Sequence, residues 1–218
     1  MPDEPLVWQP SLLEGAAVVG IDRDFASLVR HQLDGASWVD HAPQWLRGEE
    51  ALFAELVAGR SWGQRTRWLF ERQVLEPRLT SSWAAADGAP LAPPVLEQMR
   101  AVLSERYRVV FDSVGFNLYR DGRDSVAWHG DRIAREIREP VVALVSLGDA
   151  RPFLLRPRGG GRSRRFLVRG GDLLVTGGRA QREWQHSVPK VASAGPRISL
   201  AFRHGLERSQ GPEPARAY

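Results

Sequence analysis

A histidine and an aspartate stand one residue apart in the stretch DSVAWHGDRIAREI, as His129 and Asp131. On an extended chain, residues i and i+2 project to the same side, so an imidazole nitrogen and a carboxylate oxygen can reach one ion. A third donor is needed, and His186 in QREWQHSVPK, on a later predicted strand, can supply it. Two histidines and one carboxylate are the donor set of a non-haem Fe(II) centre, which leaves coordination positions open for a co-substrate and O2. A chance HxD followed by one of the chain's 5 histidines is the competing explanation, and the trio alone does not decide.

The next element bears on it. In PRISLAFRH, Arg197, Ser199, Ala201 and Arg203 alternate onto one face of a predicted strand. Two arginines on a buried face require anions, either protein carboxylates or a ligand with a carboxylate to offer each fork. Few acids lie on the neighbouring predicted strands. Asn117 and Tyr119, in FNLYRDG, share a strand face and add polar contacts to such a ligand.

These residues need elements to hold them. Three segments carry helical periodicity. Segment 22–33 places Phe25, Leu28, Val29 and Leu33 on one face, with an aspartate near its start. Segment 48–59 carries Leu52, Phe53 and Leu56 and ends on glycine; segment 93–107 begins on proline and carries Leu96, Met99, Val102 and Leu103. From residue 108 the texture changes to short β-branched and aromatic runs: VVFDSVGFNLY, VVALVSLG, RPFLLRPR, RRFLVRG, DLLVTGG, REWQHSVPK and RISLAFRH. Strands at such spacing predict a sandwich or barrel in a mainly β fold with flanking helices. Segment 62–83, aromatic and basic without a clean period, reads as a hairpin or lid.

The 218 residues suit one domain, with an apolar share of 43% and a charged share of 26%. No apolar run is long enough to span a bilayer, and the N-terminal stretch lacks the pattern of a secretory signal, so no membrane partner and a cytoplasmic location are expected. Cysteine is absent, which excludes disulfides, thiolate metal sites and cysteine nucleophiles. The formal charge is +4, and Lys190 is the only lysine, so the basic residues are almost all arginine. Arginine suits phosphate recognition, but a GC-rich coding sequence gives the same bias.

Taken in order, FNLY, DSVAWHGD, SLG, RPFLLR, GDLLVTGG, WQHSVPK and PRISLAFR resemble the AlkB family of Fe(II)- and 2-oxoglutarate-dependent dioxygenases, which demethylate alkylated bases in DNA or RNA. The N-x-Y element, the R-x5-R spacing and EPRLT at 76–80 narrow the likeness to that family. The resemblance implies a double-stranded β-helix, or jelly roll, with an N-terminal helical scaffold (1–61) and a nucleotide-recognition lid (62–92). A support helix (93–107), a catalytic core (108–204) and a polar tail (205–218) complete a single domain.

It further implies Fe(II) on His129, Asp131 and His186, with 2-oxoglutarate and O2 as co-substrates. Arg197 and Tyr119 would hold the distal carboxylate of 2-oxoglutarate, Arg203 and Asn117 its chelating end, with Ser199 where the family usually has asparagine. The target base would be flipped out of its strand and stack on Phe70, Trp68 or Trp83, while Arg78 and the arginines 156, 158, 162, 164 and 165 would contact phosphates. Monomeric action on alkylated DNA or RNA is the expectation; a protein or small-molecule substrate is the alternative, and a non-catalytic jelly-roll binding module the third possibility. One departure stands out: Ile133 and Arg135 occupy the neighbourhood where several family members carry an acid that touches the base, and the nearest acid is Glu136.

Overall fold

The computed structural model describes residues 19–69, 72–131 and 133–205, with 67–69 and 72 described by their backbone alone. In chain order the elements are β1 (Gly20–Ile21), β2 (Val29–Gln32), β3 (Ser37–Ala42), β4 (Leu46–Arg47) and α1 (Glu49–Gly59). The hairpin β5 (Thr66–Leu69) and β6 (Arg72–Leu75) follows, then β7 (Leu79–Ala84) and α2 (Pro94–Tyr107). The remainder is β8 (Ser113–Tyr119), β9 (Val126–His129), β10 (Val142–Gly148), β11 (Arg151–Pro157), β12 (Arg164–Val168), β13 (Leu173–Gly178), α3 (Ala180–Glu183), β14 (Trp184–Val188) and β15 (Arg197–Arg203).

Two antiparallel sheets face each other. The larger runs β2-β3-β13-β10-β15-β8-β7 and the smaller β12-β11-β14-β9. Strict alternation on the larger sheet explains its two faces. Phe116 and Leu118 of β8 and Ile198, Leu200 and Phe202 of β15 point to one side, where Leu52, Phe53 and Leu56 of α1 and Leu96, Met99 and Leu103 of α2 cover them. The opposite face meets the smaller sheet through a second core that includes Leu144, Leu174, Phe153, Leu155 and Trp184. The arrangement is the jelly roll that the family resemblance implies, and the predicted helices at 48–59 and 93–107 are α1 and α2.

The helix expected over 22–33 does not form. Asp22 instead caps a turn, its carboxylate accepting from the backbone N–H groups of Asp24 and Ala26, and the chain then enters β2. The apolar residues never share a face. Phe25 stacks on Trp45 in the helix-side core, Leu33 enters the inter-sheet core, and Val29 is 55% exposed. Among its described residues, the N-terminal scaffold is thus one helix plus strands that widen the larger sheet through β3, which pairs with β13. In the expected lid, β7 pairs with β8 along its whole length, so only the β5–β6 hairpin stands apart from the main sheets. No described helix is long and apolar enough to cross a membrane.

Candidate active site

His129 and His186 are direct cross-strand partners at the end of β9 and within β14, with ring centroids 4.2 Å apart. Asp131 follows β9, and its Oδ2 lies 4.0 Å from His186 Nε2. One donor atom from each of the three falls within 4.8 Å of the others. Their protonation states suit a cation. Burial pushes the His186 imidazole down to about 3 and lowers that of His129, so both rings are neutral near pH 7. Burial alone would raise the Asp131 carboxyl, but the Arg203 guanidinium beside it holds it down at about 2, and it is ionised. The proton of His129 rides on Nδ1, because that nitrogen faces the Ala127 carbonyl at 2.8 Å and a carbonyl can only accept; Nε2 keeps its lone pair. Arg203 donates to Asp131 Oδ1 from Nε at 2.9 Å and from NH2 at 2.8 Å, leaving Oδ2 for a metal. The guanidinium lies across Gly115, where an added Cβ would stand 2.6 Å from Arg203 NH1.

These states set a pH dependence for the metal-free protein. Both histidines titrate below their usual value of 6.5 when folded, so the unfolded chain binds more protons between the folded and unfolded values. The stability they contribute is fully present above about pH 6.5 and is lost as pH falls toward the folded values, at up to ~1.4 kcal/mol per pH unit per group. Urea unfolding of metal-free protein between pH 7.5 and 5 should show the midpoint dropping on acidification. A flat profile would mean that the imidazoles are not buried in neutral form.

The anion end of the site lies on the facing sheet, at the start of β15. Arg197, 1% exposed, donates from Nε to Ser146 Oγ at 2.8 Å, while its NH1 is buried without a partner. Tyr119 is paired opposite Arg197 in the β8–β15 ladder, with the guanidinium 5.3 Å from its ring. Among the described residues no carboxylate is paired with Arg197, and the other cation nearby, Arg151, only adds positive charge. A buried cation with an unmet N–H fits the distal carboxylate of a bound oxoacid.

Arg151 was not singled out in the sequence. It is fully buried and donates to the carbonyls of Asp121, Asp124 and Pro189, so it pins the turn before β9 to the exit of β14.

Asn117 and Ser199 are paired neighbours in the same ladder and line the same cavity, which has a volume of about 710 Å³. Arg78 is not presented to phosphates. Its Nε donates to Asn117 Oδ1 at 3.0 Å and its NH2 meets Glu76 at 2.8 Å, inside the cavity wall. That bond commits the Asn117 carbonyl oxygen, so its NH2 is the group it can offer to a ligand. Of the aromatic candidates, Phe70 lies outside the described residues, and Trp68 is placed only by its backbone in β5. Trp83 borders the cavity, but it packs against the helix-side core and its Nε1 donates to the Ala89 carbonyl. Of the exposed loop arginines, Arg164 donates to the carbonyls of Gln32 and Leu33, and Arg162 and Arg165 are exposed beside it. Ile133 is buried in the inter-sheet core, and Glu136 is exposed outside the cavity.

A model of the 2OG-Fe(II) oxygenase superfamily matches residues 56–203. The chain is 31% identical to human alpha-ketoglutarate-dependent dioxygenase alkB homolog 3 over 204 residues, covering 84% of this chain and 71% of that protein. The Bos taurus protein of the same name is 32% identical over 177 residues, covering 72% of this chain and 62% of its own length. An Arabidopsis thaliana protein named DNA oxidative demethylase ALKBH2 is 31% identical over 180 residues, covering 65% of this chain and 57% of its own length. In fold, the chain is similar to the solved structure of OsALKBH1, with a TM-score of 0.56 at 15% identity, covering 80% of this chain and 100% of that one. With its donor trio and its buried, unmatched arginine, the chain belongs to the AlkB family within the 2OG-Fe(II) oxygenase superfamily, an oxidoreductase that uses Fe(II) with 2-oxoglutarate and O2 as co-substrates.

Proposed function

We propose that this protein removes alkyl groups from nitrogen atoms of nucleobases in DNA or RNA, of the 1-methyladenine and 3-methylcytosine type. The observation that carries the reading is the His129–Asp131–His186 trio on the wall of a cavity that also reaches the lid-side residues Thr80 and Ser82. A cavity of about 710 Å³ has room for 2-oxoglutarate and a base together. The names of the relatives, which include a DNA oxidative demethylase, support a nucleic-acid substrate.

In this reading the trio holds Fe(II), and Arg203 keeps Asp131 on one oxygen so that other coordination positions stay free. Arg197 and Tyr119 take the distal carboxylate of 2-oxoglutarate. The Asn117 amide and Arg203 face its other end, and Ser199 adds a short polar contact between them. When bound, the metal would supply oxidation by O2, one oxygen atom entering the C–H bond beside the alkylated nitrogen and the other entering succinate as 2-oxoglutarate loses CO2, and the N-hydroxymethyl product would release formaldehyde. The chain's own contribution is to fix the donors, keep both imidazoles unprotonated, and shield the site from water between the two sheets.

The reacting carbon of a base inside a duplex is out of reach, so the base enters flipped or from a single strand. The exposed Arg162 and Arg165 then face the backbone phosphates. The reading extends to a monomer acting in the cytoplasm. Formaldehyde and succinate release from single- and double-stranded oligonucleotides carrying 1-methyladenine or 3-methylcytosine tests it. Stoichiometric release of both is expected; succinate without formaldehyde across the panel would reject a nucleobase substrate in favour of a protein or small molecule.

A further inference from the structure

The backbone of Asp131 is not held by strand pairing. β9 ends at His129, so the peptide of Asp131 lies beyond the last ladder pair. Its N–H is taken instead by Gln181 Oε1 at 3.2 Å. Gln181 is on α3, a helix of four residues, and is 4% exposed. The other end of its amide donates from Nε2 to Thr176 Oγ1 at 2.7 Å, on β13, an interior strand of the larger sheet. Both ends of the amide are therefore committed, which fixes its orientation: the backbone N–H requires the oxygen, and the nitrogen meets the hydroxyl. Thr176 is itself buried, with its hydroxyl 3.5 Å from the Val142 carbonyl, so the relay ends in the larger sheet.

The same helix grips the segment that follows the aspartate. Arg182 donates to the carbonyls of Ile133 and Ala134, and at 2.7 Å to that of Ile137. α3 then runs directly into β14, which carries His186. The continuous α3–β14 segment thus bears one donor and also grips the main chain of another, adding to the His129–His186 strand pairing.

We propose that Gln181 is a positioning residue for the metal centre. It holds the backbone of Asp131 so that Oδ2 faces the two imidazoles, and Thr176 anchors it from behind. The inference rests on the reading that His129, Asp131 and His186 hold the metal. Neither Gln181 nor Thr176 lines the cavity, so substitution there leaves the co-substrate contacts in place.

The test uses the full chain, freed of metal, in calorimetric titrations with Mn(II) and in absorption spectra with Co(II), with folding checked by circular dichroism. Gln181→Leu keeps the volume and removes the acceptor. It should bind Mn(II) about 10- to 100-fold more weakly, the usual cost of losing an outer partner of a metal ligand, and change the Co(II) visible bands. Gln181→Glu keeps an acceptor and should restore wild-type affinity and bands. Thr176→Val frees the far end of the amide and should fall between the two. A merely structural role would lower thermal stability without changing the affinity or spectrum of the folded fraction.

Wild-type affinity in Gln181→Leu, or a folded Gln181→Glu with weakened Mn(II) binding, would overturn the proposal. If Gln181→Leu does not fold, the other two variants decide: wild-type binding in Gln181→Glu with weaker binding in Thr176→Val supports it, and any other pairing overturns it. Failure of the wild-type protein to bind Mn(II) would instead reject the metal-centre reading itself.

Discussion

Replacing Asp131 with asparagine should abolish turnover while leaving the protein folded. Asp131 is the one anionic donor of the trio, and Arg203 holds it ionised. Asparagine keeps the shape and still offers an oxygen to Arg203, but the two remaining donors are neutral and the third is a weak amide. Loss of Mn(II) affinity should therefore exceed the roughly 10- to 100-fold typical of losing an outer partner, and formaldehyde release should fall to background.

Asp131→Ala goes further. It strips the Arg203 guanidinium, whose side chain is 17% exposed, of the partner it meets at 2.8 Å. Breaking a buried pair from one side typically costs about 3–5 kcal/mol, so this variant should also melt earlier. Formaldehyde release, Mn(II) calorimetry and thermal unfolding, read on both variants, separate the two effects. Substantial turnover in either would refute the ligand assignment.

Arg197→Met is expected to give the opposite pattern in stability and a large rise in the 2-oxoglutarate requirement. The wild-type guanidinium is buried with NH1 unmet, and burial pulls its pKa below the usual value because the charged form is disfavoured there. Without an oxoacid in place, that cation burdens the fold, so the methionine variant should be as stable as wild type or more so. With 2-oxoglutarate the order reverses. Two charge-assisted hydrogen bonds at about 1.5–3 kcal/mol each translate to a requirement for 2-oxoglutarate raised by ~10²-fold or more.

Scanning calorimetry with and without the co-substrate reads both halves. Wild type should gain about 2.7 kcal/mol at a ligand concentration a hundred times Kd, and the variant close to nothing. An unchanged requirement would mean that the carboxylate binds elsewhere.

What could be read in the sequence was what repeats with a short period. β8 and β15 alternate so regularly that Asn117, Tyr119, Arg197, Ser199 and Arg203 share a face in the structure as they do in the sequence pattern. α1 and α2 were legible for the same reason, with three or more apolar residues on one side. β3 was not. It is buried on both faces and carries Asp40 and His41, so no alternation marks it. The false helix at 22–33 arose because apolar spacing says nothing about whether the residues enter one core or two. α3 is too short to show a period at all, and with it Gln181 and Arg182 went unnoticed. Arg151 read only as the first residue of a strand, since its role depends on three carbonyls that no spacing rule locates.

One arrangement governs how long the donor trio stays whole. β9 is the outermost strand of the smaller sheet, paired on one side only, and His129 is its last residue. A strand so placed frays in excursions far smaller than global unfolding. During each one the site is a donor short, even though the molecule as a whole remains native. Retention of an ion is then a matter of local opening: amide protection in 126–129 measures it, and the melting temperature does not.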